Sequence, residues 1–143
     1  MCGIVGIISS KEVSSRIINS LKKLEYRGYD SAGIATLVNG DINEVKCEGR
    51  VDTLEKDIKN FNLKGEIGIG HVRWATHGKP SKINAHPHSS ERVSVVHNGI
   101  IENSTILKKV LEKKGYKFKS QTDTEVIAHL VTDYLKKNNL KNT

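Results

Sequence analysis

The sequence predicts an α+β fold in a single domain. Three observations lead there. The chain has 143 residues, the size of one ordinary domain. Its hydrophobic fraction is 36%, with 12 Gly besides, which suits a globular chain and excludes a disordered, collagenous or coiled-coil one. Along it, short apolar runs of strand length alternate with segments whose apolar residues recur at helical spacing. No run approaches the ~18 apolar residues of a membrane helix. The apolar stretch at 4–8 is too short for a secretion signal and lacks a basic flank. Two cysteines, Cys2 and Cys47, suit a reducing compartment without a disulfide framework, so the chain reads as cytoplasmic.

The elements follow in order. Residues 4–9 form an apolar run that reads as a buried strand. Val13, Ile17, Ile18, Leu21 and Leu24 recur at helical spacing, which predicts an amphipathic helix over 11–24. Residues 26–33 carry two Gly, an Asp and a Ser and read as a loop. Runs at 34–38 and 42–47 flank Asn39-Gly40-Asp41, the pattern of a β-hairpin. A short helix is expected over 51–60. Residues 66–72 form a strand whose glycines, Gly68 and Gly70, imply a close approach by backbone or ligand. Residues 73–91 form a long polar loop with Pro80 and Pro87, a length that is usually functional or disordered. Residues 92–97 alternate as a strand. The spacing of Ile106, Leu107, Val110 and Leu111 predicts a helix over 103–114, stopped by Gly115. Thr122-Asp123-Thr124-Glu125 reads as a capping box opening a last helix, with Val126, Ile127, Leu130, Val131 and Tyr134 on its inward side. No repeat or linker interrupts the chain.

The formal net charge is +7 and it is uneven, with nine Lys against four acids from Thr105 onward. A basic surface of this kind suits nucleic acid. Few Arg and no aromatic platform accompany it, so a solvated lysine face on two helices is the better reading.

Several short segments can carry chemistry. Cys2 follows Met1, and a small side chain there normally permits removal of that Met. The first residue would then carry a thiol and a free α-amine of pKa ~7.7–8.0, able to take the thiol proton. Taken alone, Cys2 is more readily an ordinary second residue. Arg73 offers a planar fork suited to a carboxylate, or is simply an exposed Arg beside a packing Trp74. Asn98-Gly99 is either a turn or a pair of N–H donors for a developing oxyanion. Asp123 either complements a helix dipole or holds an ammonium group. His86 and His88 with Cys47 lack metal-ligand spacing, and Cys47 reads as a small buried hydrophobe. Together a thiol with a built-in base, two oxyanion donors, an Arg and an Asp suit an amino acid held by its head group, its side-chain amide meeting the thiol.

Six segments extend that reading. They are residues 2–6, 24–33, 73–78, 84–88, 97–103 and 122–129, including Tyr26-Arg27-Gly28-Tyr29-Asp30-Ser31 and Arg73-Trp74-Ala75-Thr76-His77-Gly78. In order and spacing they resemble the N-terminal glutaminase domains of glutamine–fructose-6-phosphate aminotransferases, also called glucosamine-6-phosphate synthases. These are class II glutamine amidotransferases of the N-terminal-nucleophile hydrolase fold, an αββα sandwich. The resemblance spans nearly the whole chain. It implies hydrolysis of glutamine to glutamate and ammonia through a γ-glutamyl thioester on Cys2. Asn98 and Gly99 would form the oxyanion hole, Arg73 would bind the carboxylate and Asp123 the amino group. Thr76 and His77 would belong to a loop closing on glutamine, Trp74 would border the ammonia exit, and Arg27 and Gly28 would lie beside the nucleophile. No metal or other cofactor is implied.

The same resemblance makes residues 1–143 a partial amidotransferase domain, C-terminally incomplete. The remaining strands of the sandwich and two isomerase domains are expected beyond it, leaving unpaired edges and an uncovered apolar face. Expected partners are glutamine, the remainder of the synthase, and a second copy through the full-length enzyme, with neither nucleic acid nor membrane among them. The alternatives are an inactive fragment that acts only as a binding piece, and a basic nucleic-acid module.

Overall fold

The computed structural model describes residues 2–75 and 78–139. Its centre is a four-stranded antiparallel sheet in the order β1-β4-β2-β3, formed by β1 (Gly3–Ile8), β2 (Ser31–Val38), β3 (Asp41–Glu48) and β4 (Ile67–Arg73). Strands β2 and β3 are joined through Asn39 (φ 53) and Gly40 (φ 88). Both residues are left-handed, as a two-residue type I′ hairpin requires.

Helix α1 (Ser14–Leu24) lies across one face of this sheet, burying Val13, Ile17, Ile18 and Leu21. A Cβ on Gly70 would sit 2.5 Å from Ile17 Cγ2, and one on Gly68 2.7 Å from Ile17 Cδ1. The two strand glycines therefore exist to let the helix approach. Helix α2 (Val51–Asp57), continued by a 3-10 turn at Ile58–Asn60, closes the same core with Val51 and Leu54 against Val45 and Cys47.

The opposite face meets a second, two-stranded sheet of β5 (His88–Ser90) and β6 (Val93–Val95). Ser89 Oγ donates to Glu44 Oε2 at 2.6 Å, and Lys46 Nζ donates to the Pro87 carbonyl at 3.1 Å. Helix α4 (Glu125–Lys137) backs that sheet, with Thr132 Oγ1 donating to the Ser90 carbonyl at 2.9 Å. Helix α3 (Ser104–Lys113) packs beside α4. The layers thus run helix, sheet, sheet, helix, the expected αββα order.

Several expectations need correction. Strand β2 begins at Ser31, three residues earlier than its apolar run, because Ser31 pairs with both Glu48 and Arg73. The long polar segment contains β5, which has no apolar alternation to reveal it. The capping box does not form. Thr124 is the N-cap and makes no side-chain cap bond. Glu125 instead accepts the backbone N–H groups of Lys119 and Ser120, so it caps the incoming loop. Asp123 accordingly precedes the helix rather than occupying its first turn. Helix α4 also turns another face inward. Glu125, His129 and Thr132 are buried with Val126 and Ala128, while Leu130, Val131 and Tyr134 are exposed. Its polar stripe finds partners on the second sheet, Ser90 Oγ lying 2.8 Å from His129 Nδ1. In α3 only Leu111 is fully buried, and Ile106 and Val110 are exposed. The central sheet is likewise open toward β1, where Ile4, Ile8 and Ile67 are 41%, 82% and 44% exposed, as an uncovered apolar face would be.

Candidate active site

The site lies where four chain segments converge on the start of β1. Cys2 immediately precedes that strand, and the Gly3–Val72 pairing sets it beside the end of β4. The Trp74 N–H donates to Cys2 Sγ at 3.3 Å, and Sγ lies 3.5 Å from the Trp74 carbonyl. Arg27 Nε and Asn98 Nδ2 both donate to the Cys2 carbonyl, at 3.1 and 3.2 Å. The residue that would be loose in most chains is held on both its sulfur and its backbone.

Arg27 arrives on a 3-10 turn (Glu25–Arg27) that ends at Gly28. A Cβ on Gly28 would lie 2.6 Å from the Arg73 carbonyl carbon and oxygen. Glycine is needed there for closeness, since its extended φ of −176 suits any residue. Asp30 organises the same crossing: its N–H donates to the Arg73 carbonyl at 3.2 Å and its carboxylate accepts from the Ala75 N–H.

Arg73 is buried, its guanidinium donating to the carbonyls of Gly78 and Lys79 and lying 4.0 Å from Asp30. Trp74 is half exposed, its ring edge-on to Tyr29 at 5.9 Å. Asn98 and Gly99 follow β6 on a loop pinned by Asp123, whose Oδ2 accepts the Ile101 N–H at 2.7 Å. A Cβ on Gly99 would meet His97 Nε2 at 2.8 Å, so a side chain there would displace the ring.

Cys2, Arg27, Arg73, Asn98, Gly99 and Asp123 line one cavity of about 310 Å³, together with Trp74, His86, His97, Ile100, Thr122 and Thr124. Its size falls at the small end of ligand sites. Gly28 stands behind it as a spacer. Thr76 and His77 lie outside the described residues. Among the described residues, no cluster of three His, Cys, Asp or Glu side chains could hold a metal ion.

Beneath the cavity lies a group of imidazoles. His71 and His86 stack with ring centroids 4.2 Å apart, and His88 meets His86 edge-on at 4.6 Å. Burial pushes all three below the usual imidazole range, His71 to about 4 and His88 to about 3. These rings are therefore neutral near pH 7. Burial also pushes the Cys47 thiol up to about 11, which leaves it inert beside Cys2.

Sequence reasoning gave no role to Asp30, His71 or Thr124. His71 was detectable as a polar side chain on the strand face that also carries Ile67, Ile69 and Arg73. Asp30 lies within the 26–31 segment, and nothing local reveals that its carboxylate also reaches a backbone N–H 45 residues away.

A family model described as a glutamine amidotransferase domain matches residues 43–140. The chain belongs to the glutamine amidotransferase domain family. Among curated relatives of this amidotransferase domain, the glutamine–fructose-6-phosphate aminotransferase (isomerizing) of Brucella abortus is 58% identical over 137 residues, covering 96% of the chain and 23% of the relative. That of Clostridium acetobutylicum is 58% identical over 142 residues, covering 98% and 23%. The chain thus spans about a quarter of the length of the curated relatives it matches. The amidotransferase domain is also similar to the solved glutamine phosphoribosylpyrophosphate amidotransferase of B. subtilis, with TM-score 0.76, 31% identity, and coverage of 92% of this chain and 29% of that one. A structure described as the allosteric regulatory enzyme of purine biosynthesis matches with TM-score 0.75 at 32% identity, with the same coverage.

Proposed function

We propose that the chain hydrolyses glutamine to glutamate and ammonia, as the ammonia-supplying part of a glucosamine-6-phosphate synthase acting on fructose 6-phosphate. The observation that carries this is the convergence of Cys2, Asn98, Gly99, Arg73 and Asp123, from distant parts of the chain, on one cavity. The high identity to the aminotransferases supports the same reading.

Arg73 binds the α-carboxylate of glutamine through its guanidinium fork, and Asp123 accepts the α-ammonium. The side-chain amide then reaches Cys2. Once Met1 is removed, the Cys2 α-amine takes the thiol proton, and the thiolate attacks the amide carbon. The negative charge developing on oxygen is received by Asn98 Nδ2 and the Gly99 N–H. The protonated Cys2 α-amine returns that proton to the leaving nitrogen, ammonia departs, and a γ-glutamyl thioester remains. Water, deprotonated by the same amine, attacks the thioester, releasing glutamate and restoring the thiol. Arg27 fixes the Cys2 carbonyl throughout, and Gly28 keeps the Arg73–Trp74 peptide against the sulfur. Trp74 stands at the cavity rim, where it would border the ammonia exit. By the family resemblance alone, Thr76 and His77 would belong to a loop that closes on glutamine.

Residues 1–143 form one partial amidotransferase domain of a cytoplasmic enzyme, and no helix among the described residues is long and apolar enough to cross a membrane. The remainder of the synthase and a second copy of it are the partners. The open face at Ile4, Ile8 and Ile67 favours a further polypeptide packing there. Ammonia release from glutamine tests the reading. Cys2→Ala abolishes it; release unchanged by that substitution refutes it.

A further inference from the structure

Asn98 can act as an oxyanion donor only if its carboxamide nitrogen, not its oxygen, faces the cavity. A carboxamide has two nearly isosteric orientations, so something must choose between them. One partner is the Cys2 carbonyl, which Nδ2 approaches at 3.2 Å. The other is His71, whose Nε2 lies 3.1 Å from Asn98 Oδ1. His71 is fully buried and does not line the cavity, so it cannot touch glutamine.

We propose that His71 is a positioning residue for the oxyanion hole: its Nε2–H donates to Asn98 Oδ1 and turns the carboxamide nitrogen toward Cys2. This rests on the glutamine-hydrolysing reading above. A flipped carboxamide would set its NH2 against Nε2–H and its oxygen against the Cys2 carbonyl, losing both contacts at once.

Three features hold the ring in the required state. Burial keeps it neutral, so it carries one proton to place. Nε2 faces the Asn98 oxygen at 3.1 Å, and an amide oxygen can only accept, so the proton belongs on Nε2. The His86 ring stacks over it with planes 24° apart, which prevents rotation. The His86 backbone is itself close-packed, its carbonyl so near Gly33 that a Cβ there would lie 2.1 Å away, and its ring packs edge-on against His88.

Loss of an oxyanion donor costs ~10²–10³-fold in kcat. A donor left free to flip should lose less, roughly 10- to 100-fold, with KM nearly unchanged because the hole binds the transition state. The test compares glutamine hydrolysis by the unmutated chain, His71→Phe, His71→Gln, Asn98→Ala and Asn98→Ala/His71→Phe. His71→Phe should show that kcat loss. His71→Gln, whose amide nitrogen can reach the Nε2 position, should recover most of it. In the Asn98→Ala background His71→Phe should add nothing. Equal losses for Phe and Gln, or a further drop in the double variant, overturn the proposal. A ¹⁵N spectrum of the unmutated chain decides the contact without any substitution: a neutral Nε2–H ring supports it, and a proton on Nδ1 alone overturns it. No ammonia release from the unmutated chain overturns the glutamine reading, and the ring-nitrogen spectrum still decides the contact by itself.

Discussion

Gly28→Ala is the perturbation whose effect the structure fixes most closely. Its backbone is extended, so alanine meets no conformational penalty. The cost is steric. The new Cβ would stand 2.6 Å from the Arg73 carbonyl carbon and oxygen and 2.8 Å from the Trp74 nitrogen. These are backbone atoms, so they cannot swing away as a flexible side chain would. Reaching ordinary contact requires the 27–29 turn and the 73–74 peptide to separate by roughly 0.8 Å. The turn carries Arg27, bonded to the Cys2 carbonyl, and the peptide carries the N–H that holds Cys2 Sγ. One methyl group therefore pulls the nucleophile's two supports apart. A misplacement of about 1 Å can cost ~10²-fold in rate, equivalent to ~2.7 kcal/mol of transition-state energy. Overpacking of this kind also costs about 1–3 kcal/mol of stability. The assay is kcat for ammonia release, measured beside thermal unfolding. We expect a 30- to 100-fold loss in kcat in a chain that still folds, with KM changed less. An alanine variant with wild-type kcat would refute the reasoning, because the close approach would then be irrelevant to the chemistry.

Other predictions follow from the packing and the buried titrating groups. Cys47→Ala removes a buried thiol held up at about 11, so it should leave glutamine hydrolysis unchanged, and alkylation of the unmutated chain at pH 8 should spare Cys47; a kinetic effect would contradict this. Gly70→Val drives a side chain into Ile17 and should destabilise the fold by several kcal/mol, read as a lower denaturant midpoint; an unchanged midpoint would mean α1 is not packed as described. Buried neutral His71, His86 and His88 bind protons far less readily folded than unfolded, where imidazoles titrate near 6.5. Their contribution is fully present above pH 6.5 and is lost as pH falls from there toward about 4, at up to ~1.4 kcal/mol per pH unit for each ring. Unfolding free energy should therefore drop steeply between pH 6.5 and 4.5, and a flat profile would mean that the rings are solvated.

The sequence carried much of this architecture because local and tertiary demands agree there. Val13, Ile17, Ile18 and Leu21 announced α1, and the glycines of β4 announced a close approach, which comes from α1 side chains rather than from backbone or ligand. Asn39-Gly40 announced the hairpin turn. Where the two demands differ, periodicity misled. In α4 the apolar residues Leu130, Val131 and Tyr134 mark one side, yet the second sheet offers polar partners to His129 and Thr132, and those turn inward. Glu125 looked like half of a capping box because its spacing from Thr122 was right. The loop at 119–120 competes for its carboxylate and wins with two backbone donors and the Ser120 hydroxyl. The site residues were legible as chemistry-bearing types and through their motifs. Their convergence was not legible, because it depends on contacts such as Asp30 to Ala75 and Asp123 to Ile101 that no local pattern encodes. His71 shows this most plainly. As a residue it is one imidazole in a strand, and only the fold sets it against Asn98.

The central claim is that Cys2, with its own amine, is the nucleophile of a working glutamine site. Mass spectrometry of the purified chain, before and after reaction with a diazoketone analogue of glutamine, tests it most directly. The account predicts an intact mass lacking Met1, and a single adduct that peptide mapping places on Cys2, absent from Cys47 and blocked by excess glutamine. A chain whose Cys2 stays unlabelled, or whose two cysteines react alike, would contradict it.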